Sequence, residues 1–199
     1  MDVTRCFGDK DPLMAMYHDV EWGVPTHDEN ELFGLIILEG AQAGLSWRTV
    51  LHRREAYREA YAEFDPLTVS RYTAEKLEDL RVNSGIIRNR LKIASSVKNA
   101  AGFLRIQEEF GSFDKYIWGF VDHKPVMHSY TEWSQVPSKT EVSESIAKDL
   151  KKRGFSFVGP TIMYAYMQSI GMVNDHLTTC FRYQQIVDEY NNERHSDTE

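Results

Sequence analysis

Cysteine is scarce in this chain, and long apolar runs are lacking. Only Cys6 and Cys180 occur among the 199 residues, which argues against the disulfide-rich class of small secreted domains. No run approaches the roughly 18 apolar residues that a membrane-spanning helix requires, and residues 1–6 lack the apolar centre of a secretion signal. The sequence therefore predicts a cytoplasmic protein that does not bind a membrane.

Repeats, low-complexity linkers and sustained period-two alternation are lacking too. Apolar residues instead recur with helical periodicity nearly throughout, which predicts an all-α fold. Hydrophobic residues make up 42% and charged residues 27% of the chain, a composition typical of a folded globular domain. The length of 199 residues suits one domain with a substantial core.

The net charge of −7 argues mildly against a nucleic-acid partner. Acidic residues concentrate after Asp188, however, and basic residues bunch in short segments such as 148–153. A basic face can bind nucleic acid even when the total charge is negative. The alternative is that these clusters are solvated helix faces.

Capping residues and prolines predict where the helices begin. The predicted helices run from Asp11-Pro12 through Tyr17 and His18, from Asp28 to about Ala43, from Ser46 to Phe64, from Asp65-Pro66, from Thr73 to about Asn83, along a long segment after Gly85, from Ser112 to Phe120, from Ser143 to Lys152 and from Pro160 to about Met172. The long helix is predicted to bury Ile87, Leu91, Ala94, Val97, Ala101 and Leu104. Residues 122–142 are predicted to form a loop.

The segment from Leu38 to Trp47 combines an acid, two glycines and a tryptophan. Glu39 shares a helical face with apolar residues three, four and seven positions earlier, where an unpaired carboxylate is costly. Gly40 and Gly44 permit a close approach. One interpretation is a pocket for a flat ligand that is cationic or carries hydrogen-bond donors. The alternative is a helix end with a solvated glutamate.

A second candidate site is the short connection at residues 153–159, between two predicted helices. Gly154 and Gly159 stand near its ends, and free N–H groups at the start of the second helix favour a phosphate. Lys152 and Arg153 add positive charge. The pattern indicates a helix-hairpin-helix that binds a nucleic-acid backbone. The alternative is an ordinary helical hairpin with a solvated basic surface.

Four soft ligands form a third candidate site. His176 and Cys180 lie one helical turn apart, and Cys6 and His18 offer a second pair. Such a set suits tetrahedral zinc in a closed structural site. The alternative is a surface His18 and a buried, inert Cys180.

Five segments occur in an order that is typical of one enzyme family. They are residues 17–25 (YHDVEWGVP), 38–47 (LEGAQAGLSW), 84–88 (SGIIR), 151–159 (KKRGFSFVG) and 173–176 (VNDH). On these segments the chain resembles the DNA-3-methyladenine glycosylase I family, within the helix-hairpin-helix DNA glycosylase superfamily, from about Arg5 to Tyr183.

The resemblance implies a structural zinc ion and a base pocket. It assigns zinc to Cys6, His18, His176 and Cys180, which would tie the N- and C-terminal segments together. It assigns the base pocket to Tyr17, Glu39 and Trp47, with Trp22 as a supporting wall, and makes Glu39 the candidate catalytic residue. The expected protein is a monomer with a single domain at residues 1–187, whose two helical subdomains flank the pocket, and a frayed acidic tail at residues 188–199.

The resemblance also implies a DNA-binding surface. The assigned residues are Lys152, Arg153, Gly154, Gly159 and Thr161, in and beside the hairpin. Leu45 is the candidate wedge that fills the gap left by a flipped base. The alternative is that Leu45 is a core leucine.

An enzyme of this family would flip 3-methyladenine out of double-stranded DNA and hydrolyse its N-glycosidic bond, releasing the free base. The methylated base in DNA is cationic, so Glu39 is expected to accept from its amino group while Tyr17 and Trp47 stack on either side. Pro160-Thr161 stand where bifunctional relatives carry a lysine nucleophile, which predicts no strand cleavage. Asp175 follows the hairpin but is expected to contribute little to catalysis.

Two positions depart from the family's usual pattern. Phe7-Gly8 follows Cys6, where a tryptophan is usual shortly afterwards, and Met14 stands where an aromatic residue is common. These departures keep a second hypothesis open, a non-catalytic DNA-binding protein with the same hairpin and zinc site. A zinc hydrolase is disfavoured because four protein ligands leave no open position on the metal.

Overall fold

The computed structural model describes residues 3–196, with side chains described as far as residue 192. The fold is mostly helical, as the sequence predicts. Its helices are α1 (Pro12–Val20), α2 (Glu29–Gln42), α3 (Trp47–Leu51), α4 (Arg54–Ala60), α5 (Pro66–Ser70), α6 (Ala74–Val82), α7 (Arg90–Phe110), α8 (Phe113–Trp118), α9 (Glu141–Lys152), α10 (Pro160–Ser169) and α11 (Phe181–Ser196). Short 3-10 turns occupy Ala62–Phe64, Gly119–Val121 and Trp133–Gln135.

Most helices begin at the predicted capping residues. The side chains of six residues accept hydrogen bonds from N–H groups of the following turn: Asp11, Asp28, Ser46, Asp65, Thr73 and Ser112. The exception is α9, which starts after Thr140 and not after Ser143. The Thr140 and Ser143 side chains each accept from the other's backbone N–H, so Ser143 completes the cap from inside the helix.

The predicted helix from Ser46 to Phe64 is wrong as a continuous element. The structure divides it into α3, α4 and the turn Ala62–Phe64, whose three residues have positive φ between 51° and 58°. This conformation is uncommon for residues with side chains. It turns the Phe64 ring against Gly34 of α2, where a Cβ would lie 2.6 Å from the ring. Gly34 therefore makes room for Phe64.

The long helix α7 exists as predicted but buries a different face. It begins at Arg90, so Ile87 lies outside it, and Leu91 is 70% exposed. Its buried residues include Ile93, Phe103 and Ile106, and also Ser95, Ser96 and Asn99. Both serine hydroxyls donate to carbonyls one turn earlier, and Asn99 exchanges two hydrogen bonds with the backbone of Ser156. The prediction failed because these satisfied polar residues conceal the buried face.

Helix α2 is the central element of the core. Nine of its fourteen residues are buried, and it packs against α3, α4, α7, α8 and α10. A smaller buried cluster of Tyr17, Trp22 and Leu51 lies beside this core, and Trp47 packs against both. The end of α2 therefore lies where the two clusters meet.

Two segments are more regular than the sequence predicts. Within the predicted loop, β1 (Val126–Met127) pairs in parallel with β2 (Val173–Asn174). Helix α11 continues to Ser196, where the sequence predicts a frayed tail, and an ion pair from Arg182 to Glu189 links its turns. Residues 197–199 lie outside the described part. Within residues 3–196, no helix is long and apolar enough to cross a membrane.

Candidate functional site

Glu39 lies on the buried face of α2, as its spacing predicts. The residue is 2% exposed, and its Oε1 accepts a hydrogen bond from Ser169 Oγ at 2.6 Å. Ser169, the last residue of α10, accepts one from the Tyr17 hydroxyl at 3.1 Å. Three helices thus meet at a buried carboxylate, which excludes the alternative of a solvated glutamate.

The surroundings of Glu39 favour its neutral form. Burial raises the pKa of Glu39 from an ordinary 4.5 to about 7, although the Ser169 hydrogen bond opposes the shift. Burial, and then the charge of Glu39, raise the pKa of Tyr17 well above its ordinary value. A cationic or donor-bearing ligand beside Glu39 would restore its charged form.

A cavity of about 230 Å³ opens beside Glu39. Tyr17, Trp22 and Trp47 line this base cavity, as predicted, and so does Met14. The aromatic walls suit a flat ligand.

Two buried polar atoms in the walls of the base cavity have no hydrogen-bond partner: Glu39 Oε2, an acceptor, and Trp47 Nε1, a donor. A buried polar atom without a partner costs roughly 1–3 kcal/mol, so such atoms in native proteins call for an explanation. A ligand that presents a donor to Glu39 would supply the missing hydrogen bond.

The predicted sandwich of a base between Tyr17 and Trp47 does not fit this arrangement. Their ring centroids are 5.3 Å apart and the rings are tilted by 45°. A base between two stacked rings needs roughly 7 Å, twice the contact distance of about 3.5 Å. The two rings instead contact each other, so the second aromatic wall of the cavity must come from elsewhere.

The loop after α2 carries Leu45 at the surface. Lys92 of α7 fixes the end of α2, because its Nζ donates to the carbonyl oxygens of Ala41 and Ala43, each at 2.7 Å. Gly44 then turns the chain with a φ of +80°. Leu45 is 42% exposed, which excludes the alternative of a core leucine.

Gly40 and Gly44, the two glycines between Leu38 and Trp47, have different roles. A Cβ at Gly40 would lie 3.4 Å from Phe157 Cβ, so the hairpin loop, and not a ligand, approaches α2 here. The close approach predicted at Gly40 is therefore confirmed, and Phe157 makes it. At Gly44 nothing lies within 4 Å of the Cβ position, and the loop surface stays open.

The predicted helix-hairpin-helix is formed by α9, residues 153–159 and α10. Gly154 ends α9 with a φ of +96°, and its N–H donates to the Lys151 carbonyl at 3.0 Å. Gly159 has an ordinary extended backbone with φ of −67°, and a Cβ there would meet nothing within 4 Å. The fold needs glycine at 154 but not at 159. Thr161 is exposed in the first turn of α10.

The positive charge near the hairpin is distributed differently from the prediction. Lys152 is exposed, but Arg153 is bound internally, with Nη1 2.6 Å from Glu109 and Nε 2.6 Å from Asp149. Arg153 was predicted to add long-range attraction for DNA, and these two carboxylates offset its charge. Lys98 of α7, which the sequence did not single out, reaches the hairpin, with Nζ 3.4 Å from Ser156 Oγ.

The four predicted metal ligands converge. The ligand atoms of Cys6, His18, His176 and Cys180 all lie within 4.8 Å of one another. Cys180 Sγ lies 3.4 Å from His18 Nε2 and 3.5 Å from His176 Nδ1, and Cys6 Sγ lies 3.6 Å from His176 Nδ1. The cluster could therefore hold a metal ion.

The surroundings of the cluster orient its ligands. His18 Nδ1 lies 2.7 Å from Asp19 Oδ1 and His176 Nε2 lies 2.9 Å from the Trp22 carbonyl oxygen. The opposite nitrogens, His18 Nε2 and His176 Nδ1, therefore face the cysteine sulfurs, where a metal would bind. The hydrogen bond with Cys6 lowers the pKa of the Cys180 thiol far below its ordinary value, with both imidazoles adding to the effect. A thiolate is the form that binds metals.

Asp175 is fully buried, and both of its carboxylate oxygens have hydrogen-bond partners within the protein. Its oxygens bond to His128 Nδ1 at 2.6 Å, the Tyr164 hydroxyl at 2.6 Å and Gln168 Nε2 at 2.7 Å. This network orients Gln168, which lines the base cavity. Asp175 is therefore placed as a supporting residue.

A larger cavity of about 390 Å³ lies on the other side of Tyr17 and Ser169. Arg54, whose guanidinium is paired with Glu21, forms part of its wall. Neither Glu39 nor Trp47 lines it. Size alone would favour this cavity, but Glu39 Oε2 and Trp47 Nε1, which have no hydrogen-bond partner, belong to residues of the smaller one.

Sequence reasoning missed several residues of the base cavity. Ser169 and Gln168 stand at the end of α10, and Phe7 and Trp133 come from segments without regular periodicity. The one available signal was Trp133, because a tryptophan in a polar loop is unusual unless its ring contacts another group.

The chain matches known proteins over most of its length. A profile of the methyladenine glycosylase family matches residues 7–183. The chain is 48% identical to the DNA-3-methyladenine glycosylase of Haemophilus influenzae over 179 residues, which cover 89% of this chain and 97% of that protein. It is 47% identical to DNA-3-methyladenine glycosylase 1 of Escherichia coli over 182 residues, which cover 91% and 97%.

Solved structures agree with this assignment. A crystal structure of 3-methyladenine DNA glycosylase I matches with a TM-score of 0.87 and 47% identity, covering 89% of this chain and 98% of that one. The Staphylococcus aureus enzyme, solved to explain its recognition of 3-methyladenine, matches with a TM-score of 0.86 and 38% identity, covering 88% and 94%. These relatives are hydrolases of N-glycosyl bonds. The chain therefore belongs to the methyladenine glycosylase family.

Proposed function

We propose that this protein removes 3-methyladenine from alkylated DNA. The observation that carries the proposal is the unpartnered Glu39 Oε2 in a cavity walled by aromatic rings. Adenine methylated at N3 is flat, cationic in DNA and carries an amino group that donates hydrogen bonds. The base therefore complements both the buried carboxylate and the aromatic walls.

Selectivity follows from this fit. Glu39 accepts from the amino group of the base, and a hydrogen bond to a charged acceptor contributes roughly 1.5–3 kcal/mol. A guanine edge does not offer a donor in the same place. Because the N-glycosidic bond of a cationic base is already weakened, Glu39 selects and stabilises the base and need not act as a strong general base.

The base reaches the cavity by flipping out of the duplex. The hairpin holds the DNA backbone through the free N–H groups at the start of α10, with Lys152 and Lys98 attracting phosphates. Leu45 fills the gap that the base leaves. The exposed position of Leu45, in a loop fixed by Lys92, supports this role.

Replacing Leu45 by alanine is expected to weaken DNA binding and to leave binding of the free base unchanged. Leu45 would fill the gap that an abasic site leaves in the base stack, so we expect the Leu45→Ala variant to bind duplex DNA with an abasic-site analogue about 10-fold more weakly. Its affinity for free 3-methyladenine should stay the same, because Leu45 does not line the base cavity. Leu91→Ala, at a site that is 70% exposed, is the matched control. Equal DNA affinity of Leu45→Ala and the control would remove Leu45 from this role.

Gly159→Ala is expected to weaken DNA binding without changing stability. The Cβ position is open, so the melting temperature should not fall, but the methyl group stands where the DNA backbone approaches. Losing one phosphate hydrogen bond corresponds to about 10-fold in affinity. Gly154→Ala is the contrasting control, because its φ of +96° makes it destabilising by about 1 kcal/mol. Unchanged duplex affinity of Gly159→Ala, measured by fluorescence anisotropy, would contradict the proposed contact.

The metal that best suits the cluster is zinc in a structural role. Tetrahedral zinc with sulfur ligands at about 2.3 Å and nitrogen ligands at about 2.0 Å places them about 3.5 Å apart. Three of the six separations between ligand atoms, at 3.4 to 3.6 Å, agree with this geometry, and all six are within 4.8 Å. Four protein ligands leave no position for a substrate, so the metal would join the two ends of the chain.

The proposed enzyme leaves an abasic site and does not cut the strand. Pro160 and Thr161 open α10, and neither offers an amine to attack the sugar. Incubation with alkylated duplex DNA should release free 3-methyladenine and leave strands that break only after alkali. Binding to an abasic-site analogue without base release would instead favour the alternative, a non-catalytic DNA-binding protein.

A further inference from the structure

Trp133 stands at the mouth of the base cavity, far from the cavity's other residues in sequence. It opens the 3-10 turn Trp133–Gln135, within the segment between α8 and α9. It lines the same cavity as Glu39 and Trp47. Its ring centroid lies 6.1 Å from that of Trp22 and 6.2 Å from that of Phe7. Trp133 thus extends the aromatic wall outward from the protein interior.

The fold itself does not explain this tryptophan. Trp133 is 42% exposed, and it belongs to neither of the two hydrophobic clusters of the described residues. Its indole nitrogen donates to the Cys6 carbonyl oxygen at 3.0 Å, which fixes the orientation of the ring through its edge. An exposed indole, oriented from one edge at a cavity mouth, has surface available for a ligand.

We propose that Trp133 is a specificity-determining residue that contacts the methylated base in the base cavity. The inference rests on the proposed function. Tyr17 and Trp47 contact each other at 5.3 Å between ring centroids, so they cannot enclose a base between them. A base resting against Trp47 needs its second aromatic surface from another element. Phe7 and Trp22 also line the cavity, but Trp22 is buried at 6% exposure whereas Trp133 is 42% exposed. Trp133 therefore offers its surface at the open side of the cavity.

The chemistry of the base makes this contact selective. A cationic base gains more from an aromatic wall than a neutral one does, because the ring face is electronegative. Trp133 therefore favours alkylated adenine over undamaged adenine, in addition to the hydrogen bond that Glu39 accepts from the base. Because Trp133 lies outside the core, it can be substituted without disturbing the fold.

Two substitutions separate the aromatic contact from the hydrogen bond to Cys6. Trp133→Ala removes both, whereas Trp133→Phe keeps a flat ring and loses only the N–H donor. Calorimetric titration with free 3-methyladenine should give about a 10-fold weaker affinity for Trp133→Ala and an affinity within about 3-fold of wild type for Trp133→Phe. Melting temperature and bound metal should be unchanged in both variants.

The same measurements can overturn the inference. Equal losses of affinity in both variants, accompanied by a lower melting temperature or lost metal, would show that Trp133 only anchors the Cys6 segment. Wild-type affinity in Trp133→Ala would show that the ring does not touch the base. In either case, release of 3-methyladenine by the wild type would leave the proposed function standing. A wild type that neither binds nor releases the base would overturn both.

Discussion

The Glu39→Gln variant is expected to lose most of its activity on alkylated DNA and to be more stable than the wild type above pH 7. Glutamine has nearly the shape of glutamate, and its carbonyl oxygen can still accept from Ser169. It cannot offer a charged acceptor to the base. Losing a charge-assisted hydrogen bond of roughly 1.5–3 kcal/mol lowers kcat/KM by about 10- to 100-fold.

The stability gain follows from the raised pKa of Glu39. The folded protein holds a proton on Glu39 up to about pH 7, whereas the unfolded chain releases it near the ordinary value of 4.5. The wild type therefore loses stability as the pH rises from 4.5 to 7, by about 3 kcal/mol in total. The Glu39→Gln variant does not undergo this loss. Its gain in stability over the wild type should therefore be complete at pH 8 and absent at pH 4.

Thermal melting at pH 4 and pH 8 checks the stability, and release of the methylated base checks the activity. Glu108→Gln is the matched control, because Glu108 is exposed and its substitution should change neither result. A Glu39→Gln variant that is less stable than the wild type at pH 8 would contradict the described environment of Glu39. Full activity of that variant would contradict the proposed role.

Removing the metal is expected to destabilise the protein before it affects the chemistry. The cluster joins Cys6 and His18, near one end of the chain, to His176 and Cys180, near the other. Binding of a structural metal contributes directly to folding. We expect a chelator to lower the melting temperature by about 10 °C or more, which corresponds to several kcal/mol for a protein of this size.

Metal analysis should find one zinc ion per chain, and adding zinc back should restore the melting temperature. Cys180→Ala should reproduce the effect of the chelator, and zinc should not rescue it. Loss of turnover at an unchanged melting temperature would instead indicate a catalytic metal. No bound metal and no effect of the chelator would contradict the proposed site.

Local rules predicted the features that depend on neighbouring residues. Asp28 caps α2 and Ser46 caps α3, because a capping side chain needs only the next three residues. The burial of Glu39 followed from helical spacing. The types of the metal ligands were also visible in the sequence, although only the folded chain brings Cys6 to His176.

Features that depend on tertiary contacts could not be predicted from neighbouring residues. The partner of Glu39 is Ser169, 130 positions away, and no spacing rule connects them. Gly40 was predicted to permit a close approach, but the sequence does not show that Phe157 is the residue that packs there. Arg153 was assigned to DNA because its carboxylate partner Glu109 is 44 positions away.

The central claim is that the unpartnered Glu39 Oε2 receives the base, and a crystal structure with free 3-methyladenine tests it most directly. We expect the base in the cavity of about 230 Å³, against Trp47, with its amino group within hydrogen-bond distance of Glu39 Oε2. A base bound in the larger cavity of about 390 Å³, or one that leaves Glu39 Oε2 without a partner, would contradict this claim.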